Sequence, residues 1–184
     1  VEHWNGFLAD VDIMLINNKI RAFLDTIAWS EGTSTHPLTK NDGYDVIVSG
    51  DEAAGEKGLE IFTIYIDHPF ATGRPAKVIC TGPKRLTSTA SGRYQLELKW
   101  WEAYKLMLHL NDFSPASQDA VAVRQIQERS AIDEIEKGEI ALAINACSNI
   151  WASFPGNDYA EHGGKNLTEL VEHYQQFLSA ATAT

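Results

Sequence analysis

The sequence predicts an α+β domain, a mostly helical body carrying a small antiparallel β-sheet. Three observations predict it. An early amphipathic stretch keeps helical spacing. A central region of short β-rich runs is broken by Gly, Pro and Asn. Beyond residue 92 the spacing is helical again.

The first helix starts at Asn17 or Asn18, either of which can cap it. Ile20, Phe23, Leu24, Ile27 and Ala28 fall on one helical face, and Gly32 is a stop signal. Residues 33–43 read as a polar loop. Strand-like runs follow at 44–49, 61–66 and, more weakly, 77–81. Between the first two, 50–58 reads as an acidic hairpin-like loop, and 69–75 breaks the second run from the third. From Gly92 onward Leu98, Trp101, Tyr104, Lys105 and Leu108 keep helical spacing. Ser114-Pro115 opens another helix with Ser as cap and Pro at the first position. Asn166 with Glu169 forms a capping box for a last amphipathic helix through Leu167, Leu170, Val171, Tyr174 and Leu178. Residues 1–16, mixed apolar and acidic, read as an N-terminal extension to a domain at 17–184.

Composition narrows the functional classes. The chain has 184 residues, net charge −10, 44% hydrophobic and 22% charged residues. That size gives one core, burying ~70% of the unfolded chain's surface. The negative charge argues against a nucleic-acid partner, which needs Lys and Arg to neutralise phosphates. No apolar run approaches the ~20 residues of a membrane-spanning helix. No secretory signal is visible, because 7–16 is interrupted by Asp10 and Asp12. Cys80 and Cys147 read as small buried apolar groups. The six His lack metal-ligand spacing, and there is no phosphate loop, dinucleotide fingerprint or nucleophile elbow, so no metal or other cofactor is expected.

Three constellations could carry chemistry. In Ala28-Trp29-Ser30-Glu31-Gly32-Thr33, Glu31 lies four residues past Ile27, on the apolar face and at the negative end of the helix dipole. Burial and dipole both oppose its ionisation, which suits a general acid. The alternative is a Glu turned to solvent. Ser88-Thr89-Ala90-Ser91-Gly92-Arg93-Tyr94-Gln95 combines small residues with hydrogen-bonding and stacking groups that suit a sugar; the alternative is a turn starting the next helix. In the run from Cys147 through Asn149 and Trp151 to Gly156, Trp151, with Tyr159, could stack on sugar rings or simply pack. Asp45 is a candidate second carboxylate, with a loop-ordering role as the favoured alternative. Asp67-His68-Pro69 reads as a turn.

Together these motifs resemble the phage lambda lysozyme (endolysin) family. The resemblance runs in order through Arg21-Ala22-Phe23-Leu24-Asp25, the Glu31 motif, Gly43-Tyr44-Asp45-Val46-Ile47-Val48, Asp67-His68-Pro69, Gly92-Arg93-Tyr94-Gln95-Leu96, Trp100-Trp101, Asp112-Phe113-Ser114-Pro115, Ser117-Gln118-Asp119 and the 147–156 run. It implies a lysozyme-like fold with the sheet lining a substrate cleft. It also implies cleavage of the β-1,4 bond between N-acetylmuramic acid and N-acetylglucosamine in peptidoglycan. The family's members are lytic transglycosylases: the muramic C6 hydroxyl closes on C1 and leaves a 1,6-anhydro end. The family's single catalytic Glu falls on Glu31. Asp45, Ser88, Arg93, Tyr94, Gln95, Asn149 and Trp151 are the expected substrate contacts. The expected partner is a glycan strand, with no nucleic acid, no membrane insertion and a monomeric enzyme. Synthesis in the host cytoplasm and action on periplasmic peptidoglycan follow from the same resemblance. Residues 1–16, the 50–58 stretch and the C-terminal 20-odd residues depart from the pattern. The other readings are a hydrolytic lysozyme and a non-catalytic glycan-binding module of a phage tail or effector.

Residues 67–105 carry seven basic and three acidic side chains, a positive stretch within an acidic chain. It suggests a positive cleft lip facing an anionic wall polymer. The overall charge should repel that polymer at low salt. Lysis of isolated walls should therefore rise between about 10 mM and about 150 mM salt, as the screening length shortens; turbidity clearing at both ends of that range checks this.

Overall fold

The computed structural model describes residues 16–82, 84–156 and 164–183. The expected N-terminal extension lies, but for Ile16, outside the described residues, as does Tyr159. The element order is α1 (Asn18–Ser30), β1 (Val46–Ile47), a 3-10 turn (Glu52–Ala54), β2 (Glu60–Ile61), β3 (Lys77–Cys80), β4 (Leu86–Ser88), α2 (Leu98–Met107), α3 (Pro115–Glu128), α4 (Ile132–Lys137), α5 (Ile140–Cys147) and α6 (Leu167–Thr182).

Local sequence sets the helix starts. The Asn17 side chain accepts from the Ile20 amide at 3.0 Å, making Asn17 the cap of α1. Ser114 caps α3 with Pro115 behind it, and Asn166 and Glu169 form the full capping box of α6. Ile20, Phe23, Leu24, Ile27 and Ala28 on α1 are all buried, against Ile126, Ile135, Ile144, Phe154, Leu170 and Tyr174. Burial of each large apolar side chain contributes roughly 1.5–3 kcal/mol. A second cluster gathers Leu96, Trp101, Tyr104, Phe113 and Val121. Helix α3 serves both clusters, with Val121 in one and Ala122 and Ile126 in the other.

The sheet differs from the expectation of three runs. β1 pairs antiparallel with β2, and β3 pairs antiparallel with β4. β4 carries no strong β pattern in the sequence, and the 77–81 run joins it rather than its predecessors. The 44–49 run shortens to Val46–Ile47. The 61–66 run is a strand only at its start. Phe62 and Tyr65 pack together, ring centroids 5.0 Å apart, while Ile64 and Ile66 stand 67% and 77% exposed. Partly buried residues three apart break the alternation that a half-buried strand needs. The Tyr65 carbonyl instead accepts from the Phe113 amide at 2.8 Å. Helicity begins at Leu98, not Gly92, because Ser91 and Leu96 bridge across a turn containing Gln95 at φ 49°. Cys80 is exposed, a correction to its expected burial; Cys147 is buried, and both are free thiols.

The positive stretch is partly neutralised: Arg74 and Lys77 pair with Glu60, Lys105 with Asp67, and Arg93 with Asp25 and Asp42. Lys84, Arg85 and Lys99 stay exposed. No described helix is long and apolar enough to cross a membrane.

One carboxylate joins four segments. Asp119 on α3 accepts from Arg21 of α1 at 2.7 Å, from the Tyr44 hydroxyl at 2.7 Å and from the Tyr94 hydroxyl at 2.6 Å. Asp119→Ala leaves a cation and two hydroxyls without their acceptor. It should cost about 3 kcal/mol of stability, against about 1 kcal/mol for Tyr44→Phe; urea denaturation measures both.

Candidate active site

Glu31 forms the C-cap of α1, its amide still donating to Ile27 O at 2.9 Å. Gly32 follows at φ +72°, turning the chain out of the helix. The Thr33 and Ser34 amides then fold back onto Ala28 O at 3.0 and 3.3 Å. Gly43, at φ +86°, lies so close to Thr33 that a Cβ there would sit 2.8 Å from the Thr33 carbonyl carbon. The loop leaving Glu31 is thereby pressed against the entrance to β1.

The residue keeps part of its surface open, while its carboxyl lies among protein atoms. Burial raises the carboxyl above the usual carboxylate range, against the opposing effect of donors from Ser153. The Ser153 hydroxyl donates to Glu31 Oε1 at 2.6 Å, and the Ser153 amide lies 3.4 Å from the same oxygen. Ser30 Oγ stands 2.8 Å from Ser153 Oγ. Such a group holds its proton to higher pH than an ordinary carboxyl, the direction that proton donation to a leaving oxygen requires.

Most of the other candidates are buried and bond inward. Arg93 is 2% exposed; its guanidinium donates to Asp25 at 2.7 Å and pairs with Asp42, tying the 33–43 loop to α1. Its carbonyl accepts from the Thr33 hydroxyl at 2.6 Å. Tyr94 is buried on Asp119. Trp151 is buried, and its indole N–H donates to Tyr94 O at 3.2 Å. Asp45 is buried, accepting from the Thr39 hydroxyl at 2.5 Å and the Lys40 amide at 2.9 Å, which is the loop-ordering role. Ser88 is buried and donates to Glu97 at 2.5 Å. The polar groups of these five are thus engaged by neighbouring segments, except Arg93 Nε, which is buried without a hydrogen-bond partner among the described residues. Gln95 is half-buried, its side chain donating to Gly92 O at 3.1 Å. Asn149 is exposed and accepts from Arg129 at 2.9 Å.

Sequence reasoning missed Ser30 and Ser153 as functional side chains. Ser30 adjoins Glu31, and Ser153 lies within the 147–156 run, but no spacing rule links positions 123 apart. Trp29 turns the other way and stacks on His173 of α6 at 3.5 Å. Among the described residues no cluster of three His, Cys, Asp or Glu could hold a metal ion.

The raised carboxyl has a thermodynamic consequence. Folded Glu31 holds its proton to higher pH than the unfolded chain, where the ordinary value is about 4.3. The fold is therefore penalised as pH rises through the folded value and unpenalised below the unfolded one. Glu31→Gln should melt above the parent at pH 7–8, with the difference closing toward about pH 4; calorimetry across that range checks it.

The model of the family described as Endolysin matches residues 21–181, so the C-terminal helix expected to depart from the family lies within the match. The endolysin of Escherichia phage P2 is 54% identical over 155 residues, covering 84% of this chain and 90% of that one. The endolysin of Escherichia phage lambda is 52% identical, covering 83% and 88%. A structure of bacteriophage lambda lysozyme complexed with a chitohexasaccharide aligns with TM-score 0.72 and 47% identity over 88% of this chain and 95% of that one. An α+β fold with a mostly helical body, a desolvated glutamate ending its first helix and these likenesses lead to one conclusion: the chain belongs to the endolysin family, phage enzymes of lysozyme-like fold that degrade peptidoglycan.

Proposed function

We propose that Glu31 is the single catalytic acid/base of a lytic transglycosylase that cleaves the β-1,4 bond between N-acetylmuramic acid and N-acetylglucosamine. The observation that carries this is the buried Glu31 carboxyl, whose own environment favours the protonated form. As an acid it protonates the leaving glycosidic oxygen. As the resulting carboxylate it takes the proton of the muramic C6 hydroxyl while O6 closes on C1. One group serves both steps, and no water enters.

Hydrolysis by the common two-carboxylate route needs a second acid ~5–9.5 Å away. Asp45, the candidate for that place, has both oxygens engaged by the 39–40 backbone and side chains. This favours the transglycosylase over the hydrolase. A lambda lysozyme complexed with a chitohexasaccharide supports a glycan as the substrate class. Gln95 and Asn149 are proposed as direct glycan contacts. Asp45, Ser88, Arg93, Tyr94 and Trp151 are proposed to hold the wall that carries them. We place the enzyme's synthesis in the host cytoplasm and its action on periplasmic peptidoglycan, as a monomer.

Mass spectrometry of digested peptidoglycan tests the chemistry. The expected products end in 1,6-anhydromuramic acid, one water lighter than reducing ends; reducing ends would make the protein a hydrolase. Glu31→Gln should lower lysis of permeabilised Gram-negative cells by about 10²–10⁴-fold. Unchanged lysis would point to another acid.

A further inference from the structure

The two oxygens of the Glu31 carboxyl are served differently. Among the described residues, both hydrogen bonds to it fall on Oε1, from the Ser153 hydroxyl at 2.6 Å and more weakly from the Ser153 amide at 3.4 Å. An amide N–H can only donate, so the oxygen it faces acts as acceptor. Behind Ser153 stands Ser30, whose hydroxyl donates to Ile27 O at 2.8 Å and whose Oγ lies 2.8 Å from Ser153 Oγ. Each hydroxyl has one hydrogen and two lone pairs. When Ser153 gives its hydrogen to Oε1, its oxygen is open to the hydrogen of Ser30. Ile27 O keeps a donor when Ser30 turns away, because the Glu31 amide also serves it at 2.9 Å. With Ser30 turned from Ile27 O to Ser153, a one-way chain runs from Ser30 through Ser153 to Oε1.

Building on the reading of Glu31 as the acid/base, we propose that Ser153, backed by Ser30, is a positioning residue that holds Oε1 as a constant acceptor and reserves Oε2 for the proton exchanged with the glycan. In the cleavage step the Oε2–H bond breaks and its hydrogen joins the bridging oxygen, which also takes the electron pair of the breaking C1–O bond. The O–H electron pair stays on the carboxylate. In the closing step O6 bonds to C1 and its hydrogen passes to Oε2. The serines neither gain nor lose a proton; their donation strengthens as the carboxylate charge develops. Burial and Ser153 are the influences on this carboxyl, and no charged side chain among the described residues of α1, the 33–43 loop or the 151–156 segment adds to them.

Carboxyl-carbon NMR of the labelled protein and kcat/KM against pH test the chain together. Ser153→Ala removes the hydroxyl donor to the charged form and keeps the amide, so the Glu31 titration and the alkaline limb should both move up by about one unit. kcat should fall about tenfold, with KM little changed. Ser30→Ala should move both in the same direction by less, and should add nothing in a Ser153→Ala background. Ser153→Thr should restore parental behaviour. Should Ser153→Ala not fold, Ser30→Ala still reads the chain with Ser153 in place. A titration that stays put in the serine variants, or additive shifts in the double variant, would overturn the proposal. Glu31→Gln separates the two levels: an active Glu31→Gln enzyme overturns the acid/base reading, whereas an inactive one with an unmoved serine-variant titration overturns only the positioning role.

Discussion

The Asp119 carboxylate is the constraint from which the geometry of this endolysin follows. Three donors from three other segments converge on it: Arg21 from α1, Tyr44 from the approach to β1 and Tyr94 from the turn before α2. A buried charge is tolerable only with its partners in place, so these segments meet in one arrangement. Gln118, its neighbour on α3, extends the same logic. Its side-chain oxygen accepts from the Arg93 amide, and its NH₂ donates to Tyr44 O and Phe113 O. With the 92–96 turn fixed in this way, Arg93 can reach Asp25 on α1 and hold Asp42 of the loop leaving Glu31. The loop leaving Glu31 is thus held by groups other than the Ser153 that hydrogen-bonds its carboxyl.

The site itself runs against local preference. A glutamate at a helix C-cap faces unsatisfied carbonyls, and burial removes its water. Burial favours the neutral form, and the Ser153 donors oppose it. The fold tolerates this because the surrounding core is large: α1 alone buries Ile20, Phe23, Leu24 and Ile27. Stability and acidity are in tension at this position, as is common where a carboxyl must stay protonated.

What the sequence discloses follows from the range of the forces involved. The caps at Asn17, Ser114 and Asn166 are local, so three helix starts are legible, and the α1 face is legible from its spacing. Glu31 stands out because periodicity and helix polarity point to one residue. The sheet is less legible: Phe62 packs on Phe113, the Tyr65 carbonyl accepts from the Phe113 amide, and β4 finds its partner through a hairpin that lacks an alternating pattern. The Ser88–Gln95 motif is chemically conspicuous, yet Ser88, Arg93 and Tyr94 bond inward because Glu97, Asp25 and Asp119 arrive from elsewhere in the chain. The same long-range convergence hides Ser153, whose role depends on a neighbour far away in sequence.

Helix α3 belongs to both hydrophobic clusters, with Val121 facing one and Ala122 and Ile126 the other. Neither cluster can lose its contribution from α3 without disturbing the other, and Asp119 binds the same helix to α1 and the sheet side. One shared helix therefore couples the two clusters: a shift of α3 that loosens the packing around Trp101 and Phe113 also disturbs the packing against α1, the helix that ends at Glu31.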